Sequence, residues 1–120
     1  MFIYKGKKYE CTFELALHMF GRKWNALLMY HLSGGTKRYS ELKRLNPAIT
    51  QKMLTQTLRE LEMFGLIHRE VYPVVPPKVE YSLTEYGKEM LPILESIQKF
   101  GEVMYERYDE DGLIKKLEPS

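Results

Sequence analysis

The chain has 120 residues, of which 28% are charged and 44% hydrophobic, and its formal net charge is +2. These values fit one globular domain with a hydrophobic core, and they exclude a disordered polymer and a membrane protein. No stretch approaches the ~18 consecutive apolar residues of a membrane span, and the first ten residues lack the apolar segment of a signal peptide. We therefore expect a cytoplasmic protein that does not contact a membrane.

The charged residues are unevenly distributed. Residues 1–50 contain nine Lys or Arg and three acidic residues, whereas residues 78–120 contain six Lys or Arg and ten acidic residues. A basic front half suits a surface that meets nucleic-acid phosphates, although many proteins of other functions share such an asymmetry. The single cysteine, Cys11, excludes an internal disulfide, and no histidine lies at a zinc-ligand spacing from it. We expect neither a structural metal nor a cofactor.

The first third of the chain predicts an arm and two helices. Residues 1–10 show no sustained hydrophobic period and are expected to form an extended arm. Thr12 is the expected N-cap of a first helix that ends near Gly21, and a second helix runs from Trp24 to Leu32. Trp24 is expected in the core, with its indole N–H bonded to an acceptor.

Residues 40–66 have the pattern of a helix-turn-helix. After a very short strand within Thr36–Tyr39, Ser40 is the expected N-cap of a short helix that closes at Asn46. The next helix begins at Thr50, whose hydroxyl is suited to accept a free backbone N–H. Because the turn between these two helices is tight, they must be neighbours in space.

The helix that begins at Thr50 is amphipathic. Leu54, Leu58 and Leu61 form its apolar stripe, and Gly65 is suited to end it. The other side carries groups that can meet phosphates and base edges of DNA: Lys52, Thr55, Gln56 and Arg59, with Thr50 and Gln51 at the helix start. Taken alone, these residues fit a solvated helix surface equally well.

Residues 67–83 predict a β-hairpin. Ile67–Tyr72 and Lys78–Leu83 read as strands, and the prolines between them belong in a loop because proline cannot donate to a ladder. A hairpin directly after a recognition-type helix is the wing of a winged helix. The predicted fold is mainly α with a small β-hairpin wing, a winged helix-turn-helix in one domain over residues 1–120.

Residues 84–108 predict C-terminal helices with an apolar face. Thr84 is the expected N-cap, and Pro92 either kinks the segment or lies in the first turn of a new helix. We expect this face, with the N-terminal helices, to form a dimer interface through Leu94, Ile97, Phe100, Gly101, Met104 and Tyr108. The alternative is that the face folds back on its own domain. The segment from Glu110 to Ser120 is expected to fray.

Motifs within residues 11–108 resemble the HxlR family of bacterial transcriptional regulators, relatives of the MarR-type winged-helix proteins. They are Cys11 ahead of the first helix, GRKW at residues 21–24, RYSEL at 38–42, ITQKMLTQTLRELEMFGLI at 49–67 and PPKVEYSLTEYG at 76–87. The resemblance implies a homodimer that binds a pseudo-palindromic operator, with the second helix of the helix-turn-helix in the major groove and the wing beside it. It also implies a response to electrophiles, oxidants or small molecules.

The polar side chains have different expected roles in this arrangement. Gln56 and Arg59 have the groups for bidentate contacts to adenine and guanine, while Lys52 and Thr55 suit bases or phosphates. Phosphate contacts, which supply affinity and register, are expected from Arg38, Ser40, Lys43 and Lys78.

Cys11 has two interpretations. A sensor needs an accessible thiol in a positive field, which Lys7, Lys8 and the start of the first helix would supply. Otherwise Cys11 is a small residue packed between helices.

Two other function classes were weighed against a DNA-binding regulator. An enzyme is disfavoured because the sequence has no recognisable nucleophile–base motif, glycine-rich phosphate loop or metal constellation. A winged-helix module that binds a partner protein remains the alternative. It predicts binding that is insensitive to salt, whereas DNA binding weakens steeply as salt rises.

Overall fold

The computed structural model describes residues 1–117, and residues 118–120, at the end of the segment expected to fray, lie outside it. The chain divides into two compact units, residues 1–89 and the segment that begins at Met90. The first unit contains the whole winged helix, so the mixed α and β fold is confirmed. The second unit contains the long C-terminal helix, and the single domain expected over 1–120 stays a prediction. None of the helices within residues 1–117 is long and apolar enough to cross a membrane.

The N-terminus forms a hairpin rather than the extended arm expected from sequence. Strand β1 (Phe2–Tyr4) pairs antiparallel with β2 (Lys7–Tyr9). Lys5 and Gly6 connect them with φ of 48° and 77°. Positive φ at both central residues is the requirement of the two-residue turn whose twist matches that of paired strands. A lysine at the first of these positions gives little sequence signal for the turn.

Helices α1 (Thr12–Phe20) and α2 (Lys23–Leu32) lie where the sequence predicts them. The N-cap of α1 is Cys11 rather than Thr12, and no side chain caps that end. Trp24 is half-buried rather than part of the core. The Lys23 ammonium lies 4.7 Å from the centre of its ring, in a cation–π contact.

The first helix of the helix-turn-helix begins two residues earlier than predicted. Strand β3 (Lys37–Arg38) leads directly into α3 (Tyr39–Leu45), and the N-cap is Arg38. The Glu41 carboxylate accepts the Arg38 backbone N–H at 3.1 Å, so a side chain from the first turn satisfies this end. Ser40 therefore lies inside the first turn, and its predicted capping role is wrong.

Helix α4 (Gln51–Met63) is the second helix of the helix-turn-helix, as predicted. The Thr50 hydroxyl accepts the Met53 backbone N–H at 3.1 Å, which confirms it as the N-cap. Beyond the helix, Gly65 has φ of 77°, the left-handed conformation expected of a residue that ends a helix.

The wing consists of β4 (Ile67–Tyr72) and β5 (Lys78–Leu83), with the predicted bounds. The two strands are antiparallel, and β3 pairs with the other edge of β5 to give the order β3-β5-β4. Lys37, Tyr81 and Arg69 lie side by side across the three strands. Tyr81 is buried, so this face of the sheet turns toward the helices.

The base of the wing is tied to the end of α4 by a short helix, α5 (Glu85–Lys88). The Thr84 hydroxyl accepts the Gly87 backbone N–H at 2.9 Å and donates to the Gly65 carbonyl at 2.6 Å. A Cβ on Gly87 would lie 2.0 Å from the Leu66 carbonyl oxygen. Only glycine fits this approach, so the wing is fixed relative to α4.

The core of the first unit lies where α2, α3 and α4 meet one another and the sheet. Its fully buried side chains are Leu28, Met29, Leu32, Leu42, Ile49, Leu54, Leu58 and Leu61. Four of these eight flank or belong to α4, which fixes the rotation of that helix about its own axis.

The N-terminal hairpin packs on the C-terminal end of α4. The Lys5 ammonium lies 3.5 Å from the Met63 carbonyl oxygen and 5.7 Å from the centre of the Phe64 ring, on which Tyr4 stacks. A cation near the last carbonyls of a helix is favourable because those groups carry partial negative charge.

The second unit is built on α6 (Leu91–Glu110). Pro92 lies in its first turn, so it begins a new helix rather than kinking a longer one.

Candidate nucleic-acid interface

The solvent-facing side of α4 carries the three side chains best suited to DNA. Lys52, Gln56 and Arg59 are exposed and lie opposite the buried Leu54 and Leu58. Their spacing of three and four residues puts them in one row along the helix. The row combines a cation, an amide and a guanidinium, which together can meet phosphates and base edges.

The start of α4 is exposed, but its capping hydroxyl is engaged. The oxygen of Thr50 already accepts the Met53 N–H, so a DNA contact from this residue has to use its proton or its second lone pair. Gln51 is exposed at the first helical position. Thr50 and Gln51 therefore lie at the end of the helix from which a recognition helix usually contacts base edges.

One flank of α4 is held by Glu60. Its carboxylate lies 3.1 Å from an Arg22 guanidinium nitrogen and accepts from the Asn25 amide at 3.2 Å. His18 of α1 lies 3.6 Å from the same carboxylate and 2.9 Å from the hydroxyl of Tyr9. These contacts join α1, α2 and the N-terminal hairpin to α4 along one edge of the row, where Glu60 follows Gln56 by one helical turn.

The other flank of α4 is held by Tyr39 of α3. Its hydroxyl lies 3.1 Å from the Gln51 carbonyl oxygen and 3.2 Å from the Thr55 hydroxyl. Thr55 is half-buried and already hydrogen-bonded, unlike the freely exposed Gln56. The rotation and position of α4 are thus fixed from both sides by polar contacts as well as by the core.

A groove of about 270 Å³ separates α4 from the inner face of the wing. Its lining residues are Tyr39, Thr55, Leu58, Arg59, Glu62, Arg69 and Tyr81. Arg59 and Arg69 contribute two guanidinium groups against the single carboxylate of Glu62, so the groove has a net positive charge. Two guanidinium groups are suited to hydrogen-bond an anionic oxygen, such as that of a phosphate.

Arg69 was missed by sequence reasoning. It is the only Lys or Arg in β4, and strand alternation puts it on the same face as the buried Ile67, toward α4. That alternation is the sequence signal that identifies Arg69 as a residue facing α4.

The four predicted phosphate contacts differ in their surroundings. Arg38 and Ser40 are exposed at the start of α3. The Lys43 ammonium donates to the Pro47 carbonyl at 3.2 Å, and the Lys78 ammonium lies 3.5 Å from a Glu80 carboxylate oxygen. Each ammonium therefore uses one of its three N–H donors within the protein, and the other two are available to a phosphate.

The turn between α3 and α4 is organised by a buried amide. Asn46 donates from its amide nitrogen to the Leu42 carbonyl at 2.9 Å and lies 3.1 Å from Nδ1 of His31. The second bond requires Nδ1 of His31 to accept, which only the neutral ring can do. Burial, and secondarily the charge of Lys37, lowers the pKa of His31 below its usual value. The lowered pKa of His31 and its hydrogen bond with Asn46 therefore both favour the neutral ring.

Cys11 is exposed and free at the N-terminal end of α1. It is therefore not a small residue packed between helices in this chain. The α1 helix beside it exposes two large apolar side chains on one face, Phe13 at 71% and Leu17 at 47%.

Most of the predicted dimerisation residues form one exposed row on α6. Ile97, Phe100, Met104 and Tyr108 recur every three or four residues, with Gly101 among them, and all are exposed. Leu94 is only 5% exposed within the single chain, and its role in a dimer contact stays a prediction. It lies about 100° around the helix from Ile93, which is the residue that continues the exposed row.

Residues 19–109, more than half of the chain, match the HxlR-like helix-turn-helix family. The chain belongs to this family. Its members are transcriptional regulators of the helix-turn-helix type rather than enzymes. The chain is therefore a transcriptional regulator of this type. In the part of the chain that the structure describes, no group of three or more His, Cys, Asp or Glu residues is placed to hold a metal ion.

Several HxlR-like proteins are similar over most of their length. YybR of Bacillus subtilis, described as an uncharacterized HTH-type transcriptional regulator, is 48% identical and the match covers 94% of this chain and 92% of YybR. The redox regulator HypR in its oxidized form is 52% identical with a TM-score of 0.75, covering 78% of this chain and 96% of HypR. The reduced form of the transcriptional regulator YodB of B. subtilis is 36% identical with a TM-score of 0.68, and the match covers 77% of this chain and 91% of YodB.

Proposed function

We propose that this regulator binds a pseudo-palindromic operator as a homodimer, with α4 of each copy in the major groove. The observation that carries the proposal is the exposed row of Lys52, Gln56 and Arg59 on a helix held from both flanks by Glu60 and Tyr39. Base reading requires side chains in fixed positions, and this support reduces the entropy lost on binding. Such a protein works where the DNA is, in the cytoplasm.

Specificity and affinity are assigned to different side chains. Gln56 and Arg59 are proposed to read adenine and guanine by bidentate contacts, with Lys52, Thr55 and Gln51 beside them. Arg38, Ser40, Lys43, Thr50 and Lys78 are proposed to contact phosphates, and Arg69 in the groove between α4 and the wing joins this group. Phosphate contacts set the register, which determines the bases that α4 reaches.

The proposed homodimer is supported by the exposed apolar residues. A row such as Ile97, Phe100 and Met104 is costly to leave in water, and the Phe100 side chain is 64% exposed in the single chain. A second copy offers the same row, so two helices can cover each other in a two-fold symmetric contact. Binding to two half-sites in successive major grooves requires the two α4 helices to lie about one helical turn of DNA apart, roughly 34 Å.

Cys11 is the candidate for redox sensing in the proposed regulator. It is exposed, and HypR and YodB, which are similar in fold and sequence, are described as a redox regulator and as having a reduced and a diamide-treated form. With one cysteine per chain, a disulfide must join Cys11 to a second molecule, either the other copy or a small thiol. Two thiols then lose two protons and two electrons to an oxidant such as diamide. A small-molecule effector that acts without Cys11 remains the other source of a response.

The experiment that tests the proposal is a binding titration of the full chain against the DNA upstream of its own gene, over a series of salt concentrations. A steep fall in affinity with salt, together with competition by that DNA and not by random DNA, supports the proposal. The alternative, a module that binds a partner protein, predicts that the DNA upstream of its own gene competes no better than random DNA.

A further inference from the structure

The hydroxyl of Thr55 is shared with Tyr39 at the edge of the DNA-facing side of α4. Tyr39 Oη lies 3.1 Å from the Gln51 carbonyl oxygen and 3.2 Å from Thr55 Oγ1. Thr55 also lines the open groove between α4 and the wing, so its oxygen is at the boundary between the protein and the proposed DNA.

The two hydrogen bonds of Tyr39 determine where the protons lie. A carbonyl oxygen only accepts, so the single phenolic proton of Tyr39 goes to Gln51. The bond to Thr55 then requires Thr55 to donate its own single proton to the Tyr39 oxygen. With both bonds present, Thr55 has no proton left to donate, and its oxygen is available only as an acceptor.

The geometry points to Tyr39 as a specificity-determining residue: it makes Thr55 an acceptor that selects adenine or cytosine over guanine or thymine at one position of each half-site. In the major groove adenine and cytosine present amino donors, whereas guanine and thymine present acceptors at the corresponding positions. Phosphate oxygens are acceptors too, so Thr55 reads a base rather than the backbone. The inference rests on the proposed function, because it requires α4 to lie in the major groove.

A purely structural role for Tyr39 predicts a different outcome. If Tyr39 only holds α3 against α4, its hydroxyl contributes equally to binding of all DNA sequences. If it sets the proton position on Thr55, its loss frees that proton, and discrimination at one base falls while preferences elsewhere persist. The readout must therefore be base preference, measured separately from affinity.

The test is selection from a random double-stranded DNA library by the full-length protein. The wild type is expected to enrich adenine or cytosine at one half-site position, and Tyr39→Phe to reduce that preference about 3- to 10-fold, the equivalent of one hydrogen bond. Thr55→Val keeps the side-chain shape and is expected to abolish the preference at the same position. Tyr86→Phe, which removes a hydroxyl from an exposed tyrosine on α5, is the matched control and should select the wild-type motif.

A second measurement removes the amino group from the DNA instead. Replacing the selected adenine by purine, or the selected cytosine by 2-pyrimidinone, is expected to weaken the wild type about 3- to 10-fold and leave Thr55→Val unchanged. This comparison stands even if Tyr39→Phe does not fold.

The results of these two measurements distinguish a failure of the inference from a failure of the proposed function. If the wild type enriches no motif, the proposed function fails and the inference with it. If a motif is enriched but Tyr39→Phe weakens all sequences equally, or the amino-free base weakens wild type and Thr55→Val alike, the inference is wrong and the proposed function stands.

Discussion

Arg69 provides a quantitative test of the groove between α4 and the wing. The Arg69→Gln substitution removes a charge from an exposed side chain that lines the groove, so the expected change in folding free energy is within about 0.5 kcal/mol. If each Arg69 contacts one phosphate, a homodimer loses two such contacts. The slope of log K against log salt concentration should then become shallower by about 1.8, at about 0.9 per contact.

The difference in slope also determines the loss of affinity at each salt concentration. If the contact acts only through counterion release, wild type and Arg69→Gln converge near 1 M salt. A slope difference of about 1.8 then gives a loss of about 60-fold at 0.1 M and about 20-fold at 0.2 M. The fold-loss should be equal on the operator and on random DNA, because a phosphate carries no sequence information.

Fluorescence anisotropy with labelled operator at four or more salt concentrations measures both quantities. Lys99→Gln is the control, since Lys99 is exposed on α6 on the side away from the apolar row and the same unit charge is removed. Parallel lines for wild type and Arg69→Gln would refute the phosphate contact. A loss confined to the operator would instead assign Arg69 to base reading.

Four further predictions test the remaining assignments. Gln56→Ala or Arg59→Ala should cost roughly 1–3 kcal/mol on the operator and less on random DNA, and equal costs in titrations at one salt concentration would remove them from base reading. Phe100→Glu should weaken the homodimer by about 2 kcal/mol or more, seen by sedimentation equilibrium, because it puts two carboxylates into an apolar contact; an unchanged dimer would place the interface elsewhere. Diamide should alter operator binding by the wild type but not by Cys11→Ser, and identical responses would show that Cys11 is not the switch. Since the folded protein lowers the pKa of His31, its stabilising contribution is complete above about pH 6.5 and is lost as pH falls below that value toward the folded pKa. His31→Gln should therefore show a smaller fall in Tm between pH 7 and pH 5 than the wild type, and parallel melting profiles would contradict this sign.

Local sequence signals predicted the elements that carry the proposed site. Thr50, followed by leucines at helical spacing, marks α4 because a cap and an apolar stripe depend on residues within one or two turns. The wing strands were predicted with their observed bounds because alternation and the intervening prolines are equally local.

Features that depend on distant contacts were not predicted. The partnership of Tyr39 with Thr55, and the groove that Arg59 shares with Arg69, join residues of different elements. Leu94 has the same apolar character as Ile97, and only the folded chain shows that the first is buried and the second exposed. Periodicity identifies an apolar face, but it does not identify what covers each residue of that face.

The N-terminal hairpin determines how much of the chain must be kept for α4 to stay intact. The family match begins at residue 19, yet the far end of α4 is contacted by Lys5 and Tyr4, and Glu60 by His18. A protein trimmed to residues 19–109 would retain every proposed DNA contact and lose these supports. Without these supports α4 is held less firmly, so we expect residues 19–109 to bind DNA more weakly than a chain that includes the first strand.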